Sequence, residues 1–163
     1  IAMRQLALIP AYGHQEEIVT LFTEYTDMLM EQDAVVRQYL ILQNYQKELA
    51  HPESKYGMPE GRLYLACWDG QLAGCIGLRK LDEARGELKR LYVRPDFRGH
   101  RIGEALIRRI LDDAQEIGYR HVLLDTLPFL HAAVRLYREM GFYEIGCYNE
   151  SPIETTIFMQ YDL

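Results

Sequence analysis

The sequence predicts an α/β fold of the mixed, α+β kind: a central mixed sheet flanked by helices, in the order β-α-α-β-β-β-α-β-α-β-β. Three observations carry that expectation. Apolar spacing is helical in the first third, becomes strand-like from Arg62, and then alternates between the two periods. Asp69-Gly70 joins two extended runs as a tight hairpin turn. Val122, Leu123 and Leu124 form a short continuous apolar run, the mark of a strand buried on both faces. With 163 residues, 48% hydrophobic and 26% charged, the chain has the size and composition of one globular domain, 1–163.

Residues Met3 to Ile9 alternate as a first strand, which Pro10 and Gly13 end. From His14 to Met30, Ile18, Leu21, Phe22, Tyr25, Met28 and Leu29 keep the spacing of one buried helical stripe. Asp33 is placed to cap a second helix from about Ala34 to Leu49, which the Pro/Gly-rich stretch His51 to Gly61 breaks. Arg62–Trp68, Gln71–Arg79 and Glu87–Val93 read as a three-stranded meander closed by Arg94-Pro95. A helix from about Arg101 to Ile117 carries Leu106, Ile107, Ile110, Leu111 and Ala114 on one face and ends at Gly118. After the Val122–Leu124 strand, Pro128 precedes a helix of roughly Leu130 to Met140 that Gly141 terminates. Two last strands, about Phe142–Tyr148 and Glu154–Tyr161, finish the sheet.

Composition excludes several classes. The longest apolar stretch, Leu63 to Trp68, is far short of the ~20 residues that cross a bilayer, and the first ten residues lack the pattern of a secretion signal. Cys67, Cys75 and Cys147 are odd in number and have no C-x-x-C spacing, so neither a disulfide framework nor a metal site is expected, and a reducing cytoplasm suits them. The five histidines show no metal-ligand spacing, and Asp112 and Asp113 are expected on a solvated helix face. A net charge of −6 argues against a nucleic-acid partner. The charge is uneven, however: Arg79 to Arg109 carries ten Lys/Arg against five Asp/Glu, so that segment is +5 and the remainder −11. Such asymmetry points to a local anion site.

The segment Leu91-Tyr92-Val93-Arg94-Pro95-Asp96-Phe97-Arg98-Gly99-His100-Arg101-Ile102-Gly103 is where that anion site would lie, because a strand there feeds a glycine-containing turn that opens a helix. The first turn of a helix leaves backbone N–H groups without intrahelical partners, and the macrodipole adds positive potential. Gly99 and Gly103 would let backbone approach a phosphate, and Arg98 and Arg101 would supply charge. The other reading is an ordinary β-α turn with solvated arginines. Two rival phosphate motifs, G-x-x-x-x-G-K and G-x-G-x-x-G, fail on spacing.

With these residues the sequence resembles the GNAT superfamily of N-acetyltransferases, whose cofactor signature Q/R-x-x-G-x-G/A is similar to Arg98-Gly99-His100-Arg101-Ile102-Gly103. Arg101 departs from the pattern, standing where its middle glycine would be. Leu91-Tyr92-Val93-Arg94-Pro95 and Ala133-Val134-Arg135-Leu136-Tyr137-Arg138-Glu139-Met140-Gly141-Phe142 also resemble the family, and the element order agrees over essentially the whole chain. The resemblance implies acetyl-CoA as co-substrate, its pyrophosphate on the amides of Arg98, Gly99, His100, Arg101, Ile102 and Gly103, with backbone groups of Leu91 and Val93 against the pantetheine arm. It implies direct transfer of the acetyl group to an amine acceptor in a ternary complex. The alternative is an acyl-CoA-sensing module that has lost turnover.

Tyr137 matches the family tyrosine that protonates the departing thiolate, and a phenol with a pKa near 10 is protonated at neutral pH as that role requires. Its spacing equally suits a helix core position. Glu87 lies eleven residues before Arg98, where some members carry a general base; a salt-bridged strand residue beside Lys89 or Arg90 is the other reading, and many members use ordered waters. Leu130 stands where many members have an asparagine that bonds the pantetheine arm. By the same resemblance the acceptor would be gripped around Glu24–Tyr45 and Tyr148–Thr155, and the −11 balance favours a cationic or peptide amine. The sequence leaves both a monomer and a homodimer open.

Overall fold

The computed structural model describes residues 5–163. Its elements are β1 (Leu6–Pro10), α1 (Gln15–Gln32), α2 (Val36–Leu42), α3 (Tyr45–Ala50), α4 (Glu53–Tyr56), β2 (Arg62–Trp68), β3 (Gln71–Lys80), β4 (Arg85–Val93), α5 (Ile102–Ile117), β5 (His121–Thr126), α6 (His131–Met140), β6 (Tyr143–Ile145) and β7 (Ile157–Asp162). Among the described residues seven strands form one sheet in the order β1-β2-β3-β4-β5-β7-β6. All neighbours are antiparallel except the central pair β4–β5. Met3 and Arg4, expected in the first strand, lie outside the described residues.

Alternation along the meander sends side chains to two cores. Leu63 and Leu65 go with Ile18, Leu21, Phe22 and Tyr56 on the α1 face; Tyr64 and Ala66 go with Leu106, Ile107 and Ile110 on the α5 face. The hairpin turn is as the dipeptide demands, with Asp69 at φ +49 and Gly70 at φ +79.

The expected single helix from Ala34 to Leu49 is broken in two. Asn44 sits at φ +56, a conformation that asparagine tolerates better than most residues, so α2 stops and α3 restarts in a new direction. The break turns Tyr45 and Glu48 inward, which a continuous helix with a Val/Leu stripe would not do. Asp33 starts α2 by accepting the Val35 N–H on Oδ1 at 2.9 Å. The last two strands are shorter than expected because 146–156 is occupied by local turns, in which Asn149 Oδ1 accepts the Ser151 N–H and Ser151 bonds Thr156. Asp113 is not solvated: it accepts the Tyr64 hydroxyl and lies 3.5 Å from Arg62 Nε, pinning α5 to β2.

The feature that positions the site is the parting of β4 from β5. They pair only through Arg85↔His121, Gly86↔Val122 and Glu87↔Leu123, although β4 continues to Val93 and β5 to Thr126. On its other side β4 carries an extra residue, since Gly77 pairs with Lys89 and Cys75 with Tyr92. Arg90 in that bulge has φ +59. A bulge bends its strand, and this one falls where β4 leaves β5.

The bulge is anchored from beneath. Arg90 Nε and Nη2 donate to Glu48 at 2.7 and 3.0 Å, and Nη2 also reaches Gln43 Oε1 at 2.8 Å. Glu48 further accepts Lys55 Nζ at 2.7 Å and the Tyr56 hydroxyl at 2.9 Å.

Candidate active site

Beyond the last β4–β5 rung a cleft of about 1160 Å³ opens between β4, the start of α5 and α6. Its phosphate-sized end is built by the chain between Val93 and α5. A short 3₁₀ turn, Pro95–Phe97, reverses the strand, Gly99 takes φ +88, and α5 begins at Ile102. The Arg98 N–H, expected to face the phosphates, is instead spent on the Pro95 carbonyl at 3.3 Å, and the next amide to find a backbone acceptor is Ala105, bonded to the Arg101 carbonyl at 3.1 Å. Among the described residues, the N–H groups of Gly99 to Glu104 have no backbone acceptor. Consecutive free amides at a helix start form an anion-binding concavity.

Leu91, Val93, Arg98, Gly99, Arg101, Ile102, Gly103 and Tyr137 all line this cleft. His100 does not. Its ring stacks on Trp68 of β2 at 4.3 Å and 13°, leaving only its backbone to the turn. Arg98 Nε donates to the Val93 carbonyl at 3.3 Å, tying the turn to the strand end. Arg94 is used structurally: it grips Glu24 of α1 with Nε at 3.0 Å and Nη2 at 2.7 Å, which holds the Glu24 carboxyl below its usual range.

Two turn residues act differently from expectation. A Cβ on Gly103 would lie 3.2 Å from Leu136 Cδ2, so this glycine sets the approach of α5 to α6 as well as the backbone floor of the cleft. Arg101 occupies φ +59, ψ 27, the left-handed region where the family pattern has glycine. That conformation costs an L-residue about 1–2 kcal/mol, partly offset because glycine loses more chain entropy on folding. Arg101→Gly is therefore expected to raise stability by about 0.5–1 kcal/mol, read as a melting temperature higher by about 1–4 °C. An unchanged or lower melting temperature would show that the arginine side chain compensates its backbone.

Tyr137 is 5% exposed, packs edge-on against Phe142 at 5.6 Å, and its hydroxyl has no hydrogen-bond partner among the described residues. Burial, with the nearby Tyr25 and Asp125, pushes its pKa well above the ordinary phenol value, so the proton stays on. Leu130 precedes α6 and supplies no side-chain cap.

Glu87 lines neither the cleft nor the smaller crevice beside it. It sits on the last paired rung, 3% exposed, accepting the Tyr148 hydroxyl at 2.5 Å with Arg79 Nη1 at 3.6 Å. The acid that lines an opening is Asp125, near the end of β5, in the wall of the smaller crevice and not of the cleft itself. It accepts the Tyr39 hydroxyl and Asn149 Nδ2, the latter at 2.8 Å, and burial pushes its pKa up to about 6. A carboxylate directly after a doubly buried apolar strand was the available sequence signal, since open sheets bind ligands at the carboxyl ends of their strands.

The sequence profile described as "Acetyltransferase (GNAT) family" matches residues 20–142. An uncharacterized N-acetyltransferase of Schizosaccharomyces pombe is 37% identical over 126 residues, covering 76% of this chain and 77% of that protein. An acetyltransferase structure from Streptococcus agalactiae superposes with a TM-score of 0.77 at 20% identity, over 97% of this chain and 98% of that one. A GNAT family acetyltransferase from Elizabethkingia anophelis with acetyl-CoA bound superposes with a TM-score of 0.55 at 24% identity, over 64% and 77%.

Proposed function

The chain belongs to the GNAT family of acetyltransferases, and from that premise we propose that it transfers acetyl from acetyl-CoA directly to an amine in a ternary complex, working as a single domain. The observation that carries the reading is the parted β4–β5 pair with free amides at one end and an unbonded phenol on the wall. The amides of Gly99 to Glu104 suit a pyrophosphate, and Arg98 and Arg101 add positive charge beside it. The β5-facing edge of β4 from Leu91 to Val93, which β5 does not pair, suits the amide groups of a pantetheine arm. Tyr137 then donates its proton to the thiolate as the C–S bond breaks and the C–N bond forms. Glu87, tied to Tyr148 and Arg79, supports the closed end of the strand pair.

Thiol release from acetyl-CoA in the presence of a panel of primary amines tests this. Amine-dependent release is expected. Tight acetyl-CoA binding without release for any amine would make the protein a sensing module.

A further inference from the structure

A second, smaller crevice of about 50 Å³ opens on the α1–α2 side of the parted strands. It shares Tyr25 and Leu130 with the large cleft, so the two adjoin at these residues. Leu29, Val36, Leu40, Leu127 and Leu130 give it apolar walls, and Gln43, Lys89, Arg90, Thr126 and Thr156 line the rest. Set into them is the carboxylate of Asp125. Both of its side-chain hydrogen bonds, from Tyr39 and Asn149, fall on Oδ2. Among the described residues, Oδ1 has no side-chain partner and no cation lies within ion-pair distance of either oxygen. A buried carboxylate without an ion-pair partner is costly.

We infer that Asp125 receives the ammonium of a primary amine in this crevice and takes its proton, as the general base of the transfer. The inference rests on the acetyl-transfer reading above. A volume of about 50 Å³ holds roughly four waters, enough for an aminomethyl group and one or two further atoms but not for the body of a larger acceptor. The step balances: the ammonium proton passes to Oδ1, the freed lone pair attacks the thioester carbonyl, and the C–N bond forms as the C–S bond breaks. Tyr137 protonates the thiolate and regains a proton from the newly acylated nitrogen. Asp125 returns its own proton to solvent.

The groups facing Asp125 are Tyr25 from α1, Tyr39 from α2, Lys89 and Arg90 from β4, Tyr137 from α6, and Tyr148 and Asn149 from the β6–β7 loop. The buried tyrosines with raised pKa values, Tyr25, Tyr137 and Tyr148, stay neutral, and Arg90 stays charged. Burial lowers Lys89 to about 8. A limb near pH 6 therefore belongs to Asp125, whose carboxylate is the competent form, and kcat/KM should rise with pH through that region.

The test compares wild type with Asp125→Asn, using ethylamine and the much less basic 2,2,2-trifluoroethylamine, which is already neutral at pH 7. For ethylamine the variant should lose about 10²-fold in kcat/KM at pH 7, together with the limb near pH 6. For trifluoroethylamine, which needs no base, the loss should stay within about fivefold. The variant should melt no lower than wild type at pH 7.5, because a raised acid pKa means that ionisation disfavours the fold above it, so a general collapse would be visible. Equal losses for both amines, or a retained pH 6 limb, overturns the assignment of Asp125. Wild-type turnover confined to amines too bulky at the nitrogen to enter the crevice overturns it as the acceptor site. No wild-type release with any amine instead removes the acetyl-transfer reading itself.

Discussion

Replacing Tyr137 with phenylalanine is expected to lower kcat by about 10²–10⁴-fold while CoA affinity and melting temperature stay near wild type. The substitution removes one oxygen that has no hydrogen-bond partner among the described residues, and it keeps the ring against Phe142. A core residue whose hydroxyl did nothing would leave turnover intact. Measuring turnover, CoA binding and melting on one preparation separates the outcomes, and full activity would defeat the assignment of Tyr137 as the acid.

The second large effect falls on stability. Glu48 is 1% exposed and balances Arg90, itself buried, together with Lys55. Glu48→Ala strands the guanidinium without a counter-charge, and the expected loss is about 3–5 kcal/mol, which for a chain of this size lowers the melting temperature by roughly 10 °C. Burial alone would raise the Glu48 pKa, but Arg90 and Lys55 outweigh it and hold it down to about 2. The folded value lies below the unfolded one, so this stabilisation is full above about pH 4.3 and fades as pH falls towards 2. Denaturant titrations at pH 7 and pH 3 check both parts: the gap between wild type and variant should narrow at the lower pH. A constant gap would show that Arg90 is not what Glu48 compensates.

The sheet's meander, the long amphipathic helices and the anion turn were legible because each has a local signature: a turn dipeptide, a 3.6-residue stripe, or a glycine at a helix boundary. What was not legible depends on distant partners. Nothing near Asn44 says that the helix must break there; the reason is the Arg90 guanidinium, which needs Gln43 and Glu48 across 47 and 42 residues of sequence. Glu87 and Asp125 are alike as sequence letters. The point at which β4 and β5 separate decides which of them faces an opening, and that point is set by an extra residue opposite Ile76 that no local pattern marks.

Trp68 is the chain's single tryptophan, and it lies flat against His100 in the turn whose amides are free. Indole emission from this protein thus originates at one place, a ring-to-ring contact with the phosphate turn. Ordering or displacement of that turn changes the quenching of the indole directly. Occupancy of the turn can consequently be followed optically in the unlabelled protein at a fixed pH, independently of acetyl transfer, with a Trp68→Phe variant as the dark control.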